Sequence, residues 1–415
     1  MDETKPVKNI GWRVALAGMG INLAFGVLYT WSVISKAIPA EWGWKEVDKS
    51  WPYSVACLVF ALMTVPGGRL QDKIGARIVA TVGGIFVGIG MILASFSTSP
   101  VMYIISFGII AGAGIGFGYA SATPPALKWF SAKKTGLISG IVVSGFGLAS
   151  AYASPLSTWL IGSYGVQRTM LILGVIFLVA VVGIAQLLKE PPKGYQPQDA
   201  AVRSATAAAP VQIRECKSGE MLGTGQFYLI WFMYACGAGA GLMIIGKLAA
   251  IAKMQAHLNL GFVLVIVLAC GNGAGRILAG MISDKIGCRK TLFICLVFQA
   301  LLMMLLSKVS DTNILGNMIV LSIISALIGA NYGANLSLFP SHTKSCYGLK
   351  NFGSNYGFVF TAWGVGGFLL SLLAGRMYDL TGSFVIAYYV ASGLLVAAAI
   401  GTFFMKPPVL KTDKA

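Results

Sequence analysis

Long apolar segments alternate with short polar ones along almost the whole chain. Twelve segments are apolar over roughly 20 residues, the helix length that crosses a hydrocarbon layer of ~30 Å. Their approximate extents are 13–36, 50–70, 74–96, 100–126, 136–163, 168–189, 225–252, 260–283, 290–308, 313–338, 355–378 and 384–405. Strands of a membrane barrel would alternate with period two over ~10 residues, and these segments do not. The pattern therefore predicts an all-α polytopic membrane protein with twelve transmembrane helices.

The composition agrees with this interpretation, since the chain is 56% hydrophobic and only 11% charged, with a mean hydropathy of +0.77. Two acids precede the first apolar segment and no small-residue cleavage site follows it, so we expect that segment to remain as a span.

The seven cysteines show no metal-ligand spacing. The glycine-rich run at 111–118 lacks the Lys-Ser/Thr ending of a phosphate-binding loop and favours close helix packing. We expect no bound cofactor.

The net charge of +17 follows the predicted topology. With the N-terminus in the cytoplasm, most of the 31 Lys and Arg residues fall in cytoplasmic segments, which is the bias that orients helices during insertion. We therefore expect both termini to be cytoplasmic in a multi-pass protein of the cell (inner or plasma) membrane. The lipid bilayer explains the charge, and no nucleic-acid partner is expected.

A segment rich in Pro, Ala and charge, residues 190–222, separates two sets of six spans. It predicts an N-terminal six-helix bundle (1–189), a cytoplasmic linker (190–222) and a C-terminal six-helix bundle (223–415). "GRLQDKIGARI" (68–78) recurs as "GMISDKIGCRK" (280–290), after the second span of each half. The register shift is 212 residues throughout, pairing Gly68 with Gly280, Asp72 with Asp284, Lys73 with Lys285, Gly75 with Gly287 and Arg77 with Arg289. Duplication explains this repeat.

The repeated segment resembles the loop signature of the major facilitator superfamily. The resemblance implies two six-helix bundles related by a pseudo-twofold axis, with a central cavity that alternating access exposes to each side in turn. It also implies a conformational-switch motif, made of Gly68, Asp72, Lys73, Arg77, Asp284, Lys285 and Arg289. In that family the motif Asp caps a helix end and pairs with basic side chains across the interface, holding the outward-facing state. Ordinary helix-end charges are the alternative.

Further stretches narrow the resemblance to the monocarboxylate transporters, including the oxalate:formate antiporter branch. "KWFSAKKTGLISGIVVSGFGLAS" (128–150) resembles their fifth-span signature, and "GVLYTWSV", "NGAGRILAGMISDKIG" and "LFPSHTKSCYGLKNFGSNYGF" resemble segments of the bacterial antiporters. Two departures stand out. The antiporters carry a lysine in the eleventh span where this chain has Trp363, and animal transporters carry an Asp, proposed for proton coupling, where this chain has Asn272.

Arg276 lies inside the eighth predicted span, where an arginine costs ~2.5–3.5 kcal/mol on insertion scales. No Asp or Glu falls well inside any predicted span, and Asp284 should lie ~12 Å along the helix axis, beyond direct pairing. A guanidinium can bind a carboxylate through two parallel hydrogen bonds, so the substrate itself is the predicted partner. The alternative is that Arg276 extends to the cytoplasmic interface. A single buried cation suits a monoanion.

Other polar and aromatic residues complete the predicted site. Asn272 shares a helix face with Arg276 and either orients the guanidinium, binds a substrate hydroxyl or is a structural amide. Tyr119 and Tyr332 offer hydroxyl donors, with a membrane-interface role as the alternative. Leu28 and Tyr29 offer an apolar wall and a further donor, with helix packing as the alternative. The predicted substrate-binding residues are Arg276, Asn272, Tyr119, Tyr332, Leu28, Tyr29, Trp363 and Asn335, with Asn355 a weaker candidate.

The sequence thus predicts a secondary active transporter of small monocarboxylates of the lactate or pyruvate type. Proton symport is implied by the family, with the proton as coupling ion, although no residue identifies its carrier. The alternative is exchange of organic anions without net proton movement. An enzyme or receptor on this scaffold is disfavoured because no paired carboxylates, His cluster or activated nucleophile is present. We expect a monomer.

Overall fold

Twelve long apolar helices make up the computed structural model, which describes residues 9–130, 135–192, 195, 215–259, 261–348 and 351–406. These residues contain no β-strand. The helices are α1 (Gly11–Lys36), α2 (Glu46–Ile74), α3 (Ala76–Ser95), α4 (Pro100–Leu127), α5 (135–164), α6 (166–185), α7 (Gly225–Ala256), α8 (Gly261–Ile286), α9 (Cys288–Leu306), α10 (Met318–Tyr347), α11 (Phe352–Thr381) and α12 (Val385–Phe404). The predicted fold class is confirmed.

Several helices extend beyond the apolar segments that predicted them. The largest difference is at α10, which continues nine residues past the predicted end at 338 and stops where Gly348 N donates to Lys344 O at 3.0 Å. Hydropathy marks where a helix contacts lipid, whereas the helix itself continues as long as its backbone hydrogen bonds do. The predicted boundary was therefore wrong at that end.

Two local features shape the first half. Helices α5 and α6 run into each other and are separated only by Gly165, whose φ of 75° is accessible to glycine at little cost. Helix α1 tightens into a 3₁₀ turn over Gly26–Thr30. A Cβ atom on Gly26 would collide with the side chain of Ala149 on α5, so glycine is needed for this close approach. The turn carries Tyr29 into the interior.

The two halves repeat one another in backbone detail. Gly75 (φ 90°, ψ 149°) and Gly287 (φ 88°, ψ 148°) adopt the same conformation between the second and third helices of their halves. Arg77 Nε donates to Gln186 Oε1, and Arg289 Nη2 donates to Phe403 O at 3.0 Å. Each arginine therefore ties the third helix of its half to the end of the sixth, as duplication predicts.

The halves meet through α2 against α11, α5 against α8, and α1 against α7. Because α2 corresponds to α8 and α5 to α11, the first two contacts are equivalent under the repeat. We call the side that carries the α2–α3 and α8–α9 connections the motif face, and the other side the opposite face. Most of the predicted linker, 190–222, lies outside the described residues, which include the short helix Ser218–Leu222 at its end.

Candidate functional site

A small cavity lies between the two halves at the middle of the helices. Its empty volume is about 210 Å³. It is lined by Tyr29, Phe60, Tyr119, Phe146, Arg276, Leu336, Phe360 and Trp363. These residues come from both bundles, so the cavity forms only when the halves pack together.

Arg276 is the cation of this cavity. On α8, its Nε donates to Asn272 Oδ1 at 3.2 Å, and its Nη1 donates across the interface to Val143 O on α5 at 3.3 Å. Neither acceptor carries a charge, and among the described residues no carboxylate forms an ion pair with Arg276. The guanidinium is therefore held in place without being neutralised, and its remaining donors can bind an anion.

Close packing of α8 on α10 fixes the position of Asn272. A Cβ atom on Gly333 would collide with the Asn272 carbonyl oxygen, so the glycine lets the two backbones touch. Asn272 is fully buried, and its Nδ2 has no hydrogen-bond partner among the described residues. The geometry favours the interpretation that Asn272 orients the guanidinium through its Oδ1 atom.

Phenol and indole groups connect the halves beside Arg276. The hydroxyl of Tyr29 on α1 hydrogen-bonds to that of Tyr332 on α10, and Trp363 Nε1 donates to the Tyr332 hydroxyl at 2.8 Å. Tyr332 thus supports the cavity wall from behind. Tyr119 on α4 is part of the wall and stacks on Phe360 of α11, with ring centroids 6.0 Å apart. These four predicted residues are brought together, three of them at the cavity surface.

Three other candidates lie away from the cavity surface. Leu28 is fully buried, and the side chain of Asn335 donates to Asn331 O within α10 at 3.0 Å. Asn355 donates to Cys216 O at 3.1 Å, near the start of α11 on the motif face. Their positions favour packing and helix-end roles.

Three phenylalanines that were not predicted from the sequence form the apolar half of the cavity wall. Phe60, Phe146 and Phe360 surround the tyrosines with edge and face contacts, with ring centroids 5.5 Å apart for Phe60 and Phe146. Nothing in the sequence separates these phenylalanines from the many others that pack between helices. Only the equivalent packing of α2 on α11 and of α5 on α8 brings them to one place.

The expectation of a single buried cation was wrong. Lys247 on α7 is 3% exposed and donates to Glu46 Oε2 and to Glu46 O, both at 2.9 Å. Glu46 is 6% exposed, and its Oε1 also contacts Lys49 at 2.9 Å. The acid was overlooked because the apolar segment starts at 50, whereas α2 begins at Glu46. Lys247 lies inside α7, nine residues before its end at Ala256.

This ion pair belongs to a polar contact on the opposite face. Asp379 at the end of α11 accepts hydrogen bonds from the backbone N–H groups of Glu46 and Val47, at 2.9 and 2.8 Å. Lys36 at the end of α1 donates to Asn259 O at 3.2 Å. All of these bonds cross from one half to the other, so the opposite face is closed.

The motif face differs. Asp72, Lys73, Asp284 and Lys285 are exposed, and neither Asp forms a hydrogen bond or ion pair in the part of the chain that the structure describes. Gly68 has open space around its Cα atom. The pairing across the interface that the family resemblance implies for the motif Asp is thus not formed in this conformation.

Comparisons with known proteins agree with the architecture. The family model described as Major Facilitator Superfamily matches residues 14–270 and 245–415. The uncharacterized MFS-type transporter YhjX of Escherichia coli (strain K12) is 27% identical over 359 residues, 86% of this chain and 85% of the relative. The oxalate:formate antiporter of Oxalobacter formigenes is 25% identical over 85% of this chain and 81% of its own. Monocarboxylate transporter 13 of Rattus norvegicus is 25% identical over 94% and 87%.

Proposed function

The chain belongs to the major facilitator superfamily, and from that premise we propose that it transports small monocarboxylates by alternating access. It is a multi-pass membrane protein of the plasma membrane, and its relatives are transporters rather than enzymes. The relatives named for a substrate are an oxalate:formate antiporter and monocarboxylate transporters. Small carboxylate anions are therefore the proposed substrate class.

One observation carries this proposal: Arg276 lines the central cavity without a carboxylate partner among the described residues. A partly buried cation inside a membrane span is costly without a counter-charge, and an anion that enters the cavity offsets that cost. The guanidinium has donors arranged to hold a carboxylate through two bonds. The phenol of Tyr119 offers a further donor, and the aromatic walls suit a short apolar substituent.

The charges favour one carboxylate over two. Lys247 is a further cation between the halves, but its ammonium group is already neutralised by Glu46. At the eleventh-span position where the resemblance implies a lysine in the antiporters, this chain has Trp363, whose Nε1 donates to Tyr332. Within the cavity, only Arg276 carries a charge. A monoanion of the lactate or pyruvate type therefore matches it.

Proton symport is the proposed coupling. None of the residues that line the cavity is an Asp, Glu or His, so we propose that the proton travels on the substrate or on a water molecule. The antiporter relative keeps anion exchange as a second candidate. In exchange, one anion leaves Arg276 before the next arrives, and no proton carrier is needed.

Uptake of labelled lactate into proteoliposomes tests both candidates. We expect an imposed inward proton gradient to drive uptake above equilibrium. Uptake that needs preloaded anion and ignores the gradient would establish exchange instead. If neither condition moves lactate, pyruvate, formate or oxalate, the proposal of carboxylate transport is wrong.

A further inference from the structure

A second, larger cavity opens on the opposite face between α1, α2 and α7. Its empty volume is about 410 Å³. Its lining residues are Ser35, Lys36, Glu46, Lys49, Ala250, Lys253 and Met254. It adjoins the Glu46–Lys247 pair that closes this face, so it lies directly outside the closed route to Arg276.

The fixed charges of this cavity do not balance. Both carboxylate oxygens of Glu46 are occupied, Oε1 by Lys49 and Oε2 by Lys247. Lys36 donates only to the neutral Asn259 O, and Lys253 forms no ion pair with any described carboxylate. Two ammonium groups therefore line one cavity without a counter-charge of their own.

Two acids of this face have partners outside the cavity. The carboxylate of Asp379 accepts the backbone N–H groups at the start of α2, and that of Asp311 lies 3.5 Å from His257 Nε2. Neither residue lines the cavity. An anion from solution would offset the repulsion between Lys36 and Lys253.

We propose that Lys36 and Lys253 form a second anion site, which collects the carboxylate substrate on the opposite face before that face opens. This inference rests on the proposed transport of small carboxylates. Like charges along a cleft raise the local concentration of an oppositely charged ligand and speed its association by 10-fold to 1,000-fold, an effect that salt suppresses. The site would therefore control capture, while Arg276 controls binding at the centre.

Transport at low ionic strength provides the first test, using the double variant Lys36→Gln/Lys253→Gln. Lys45→Gln/Lys308→Gln is the matched control, because it removes the same charge from exposed lysines outside the cavity. Lactate uptake is measured in whole cells and in inverted membrane vesicles, which present opposite faces. We expect kcat/KM to fall about tenfold in one of the two preparations only, with the control unchanged.

The salt dependence of the effect, and the membrane face on which it appears, distinguish loss of the anion site from general damage to the protein. The difference in kcat/KM between the double variant and the wild type should vanish in about 1 M salt, where the Debye length is about 3 Å. Equal losses in both preparations, or a loss that persists in high salt, would overturn the proposed site. So would unchanged kinetics in both preparations.

A second measurement is independent of transport. An amine-reactive reagent is applied to the purified full-length protein, and mass spectrometry follows Lys36 and Lys253 with and without lactate. We expect lactate to slow modification of these two lysines severalfold and to leave Lys45 and Lys308 unaffected. Protection of all four, or of none, contradicts the site. Protection without any transport would instead preserve the site and refute the proposed function.

Discussion

Lys247 and Arg276 both lie between the halves of this protein, and they differ in what surrounds them. Lys247 on the opposite face contacts a carboxylate from the other half, Glu46, and is 3% exposed. Arg276 at the centre contacts an amide oxygen and a backbone carbonyl, and lines the central cavity. The charge of Lys247 is neutralised by the protein, whereas that of Arg276 is available to an anionic ligand.

This difference separates closure from binding. A buried ion pair contributes little net stability, yet removing one partner costs about 3–5 kcal/mol because the other charge stays buried. Lys247 and Glu46 come from opposite halves, so losing one of them destabilises the conformation in which the opposite face is closed. Arg276 pairs with no acid among the described residues, so its replacement leaves none of them unpaired and weakens ligand binding instead. The following predictions test this division.

The largest expected effect is on substrate binding. Arg276→Gln removes the charge that the carboxylate would pair with, at a cost of about 2–5 kcal/mol, so lactate should bind at least about 30-fold more weakly. The melting temperature in detergent should hardly change. Arg276→Lys keeps the charge but loses the two parallel bonds, and should be intermediate. Calorimetric titration and thermal unfolding measure the two quantities.

Arg168→Gln is the matched control for this prediction. Arg168 is an exposed arginine near the start of α6, and it does not line the cavity. Its replacement should leave both binding and melting unchanged. If Arg276→Gln binds lactate as tightly as the wild type, Arg276 is not part of the site.

Lys247→Met should have the converse effect, loosening the closed face without removing the central cation. Glu46 would keep only Lys49, and we expect the closed arrangement to lose about 3 kcal/mol. Spin labels at the exposed positions Glu41 and Asn259 report the separation of the halves on that face. Their distance distribution should become longer and broader.

The second partner provides the decisive control. Glu46→Gln combined with Lys247→Met removes both charges of the pair. The double variant should therefore populate the closed conformation more than Lys247→Met does alone. Lys45→Met, which removes an exposed lysine, should leave the distances unchanged. A double variant as open as Lys247→Met alone would show that the charge pair does not hold this face closed.

The sequence predicted the fold because its signals are local and repeated. Apolar segments long enough to span a bilayer revealed twelve helices, and the shared register of the motifs around Gly75 and Gly287 revealed the duplication that their matching backbone angles display. Arg276 stood out for the same reason, because a charge inside an apolar segment is visible without any structure. The orientation of the termini stays a prediction.

The remainder of the site depends on contacts between distant helices. Phe60 and Phe146 lie on different helices of the first half, and nothing near them in the sequence marks them as cavity walls. Glu46 lies just before an apolar segment, where acids are usually exposed. It is buried because α11 and α7 cover it, through Asp379 and Lys247. The sequence gives the residue types, and only tertiary packing decides which charges become paired.

The smallest expected effect on stability is at the motif face. Asp72→Asn and Asp284→Asn alter exposed side chains that have no partner among the described residues, so each should change the free energy of unfolding by less than about 0.5 kcal/mol. The family resemblance implies that these carboxylates pair in the conformation that is closed on this face, so turnover should fall while lactate affinity does not. Thermal unfolding and the initial uptake rate measure the two effects. A large loss of stability with normal turnover would mean that the motif stabilises the present conformation instead. The contrast between paired charges on the opposite face and unpaired carboxylates on the motif face would then not reflect the transport cycle.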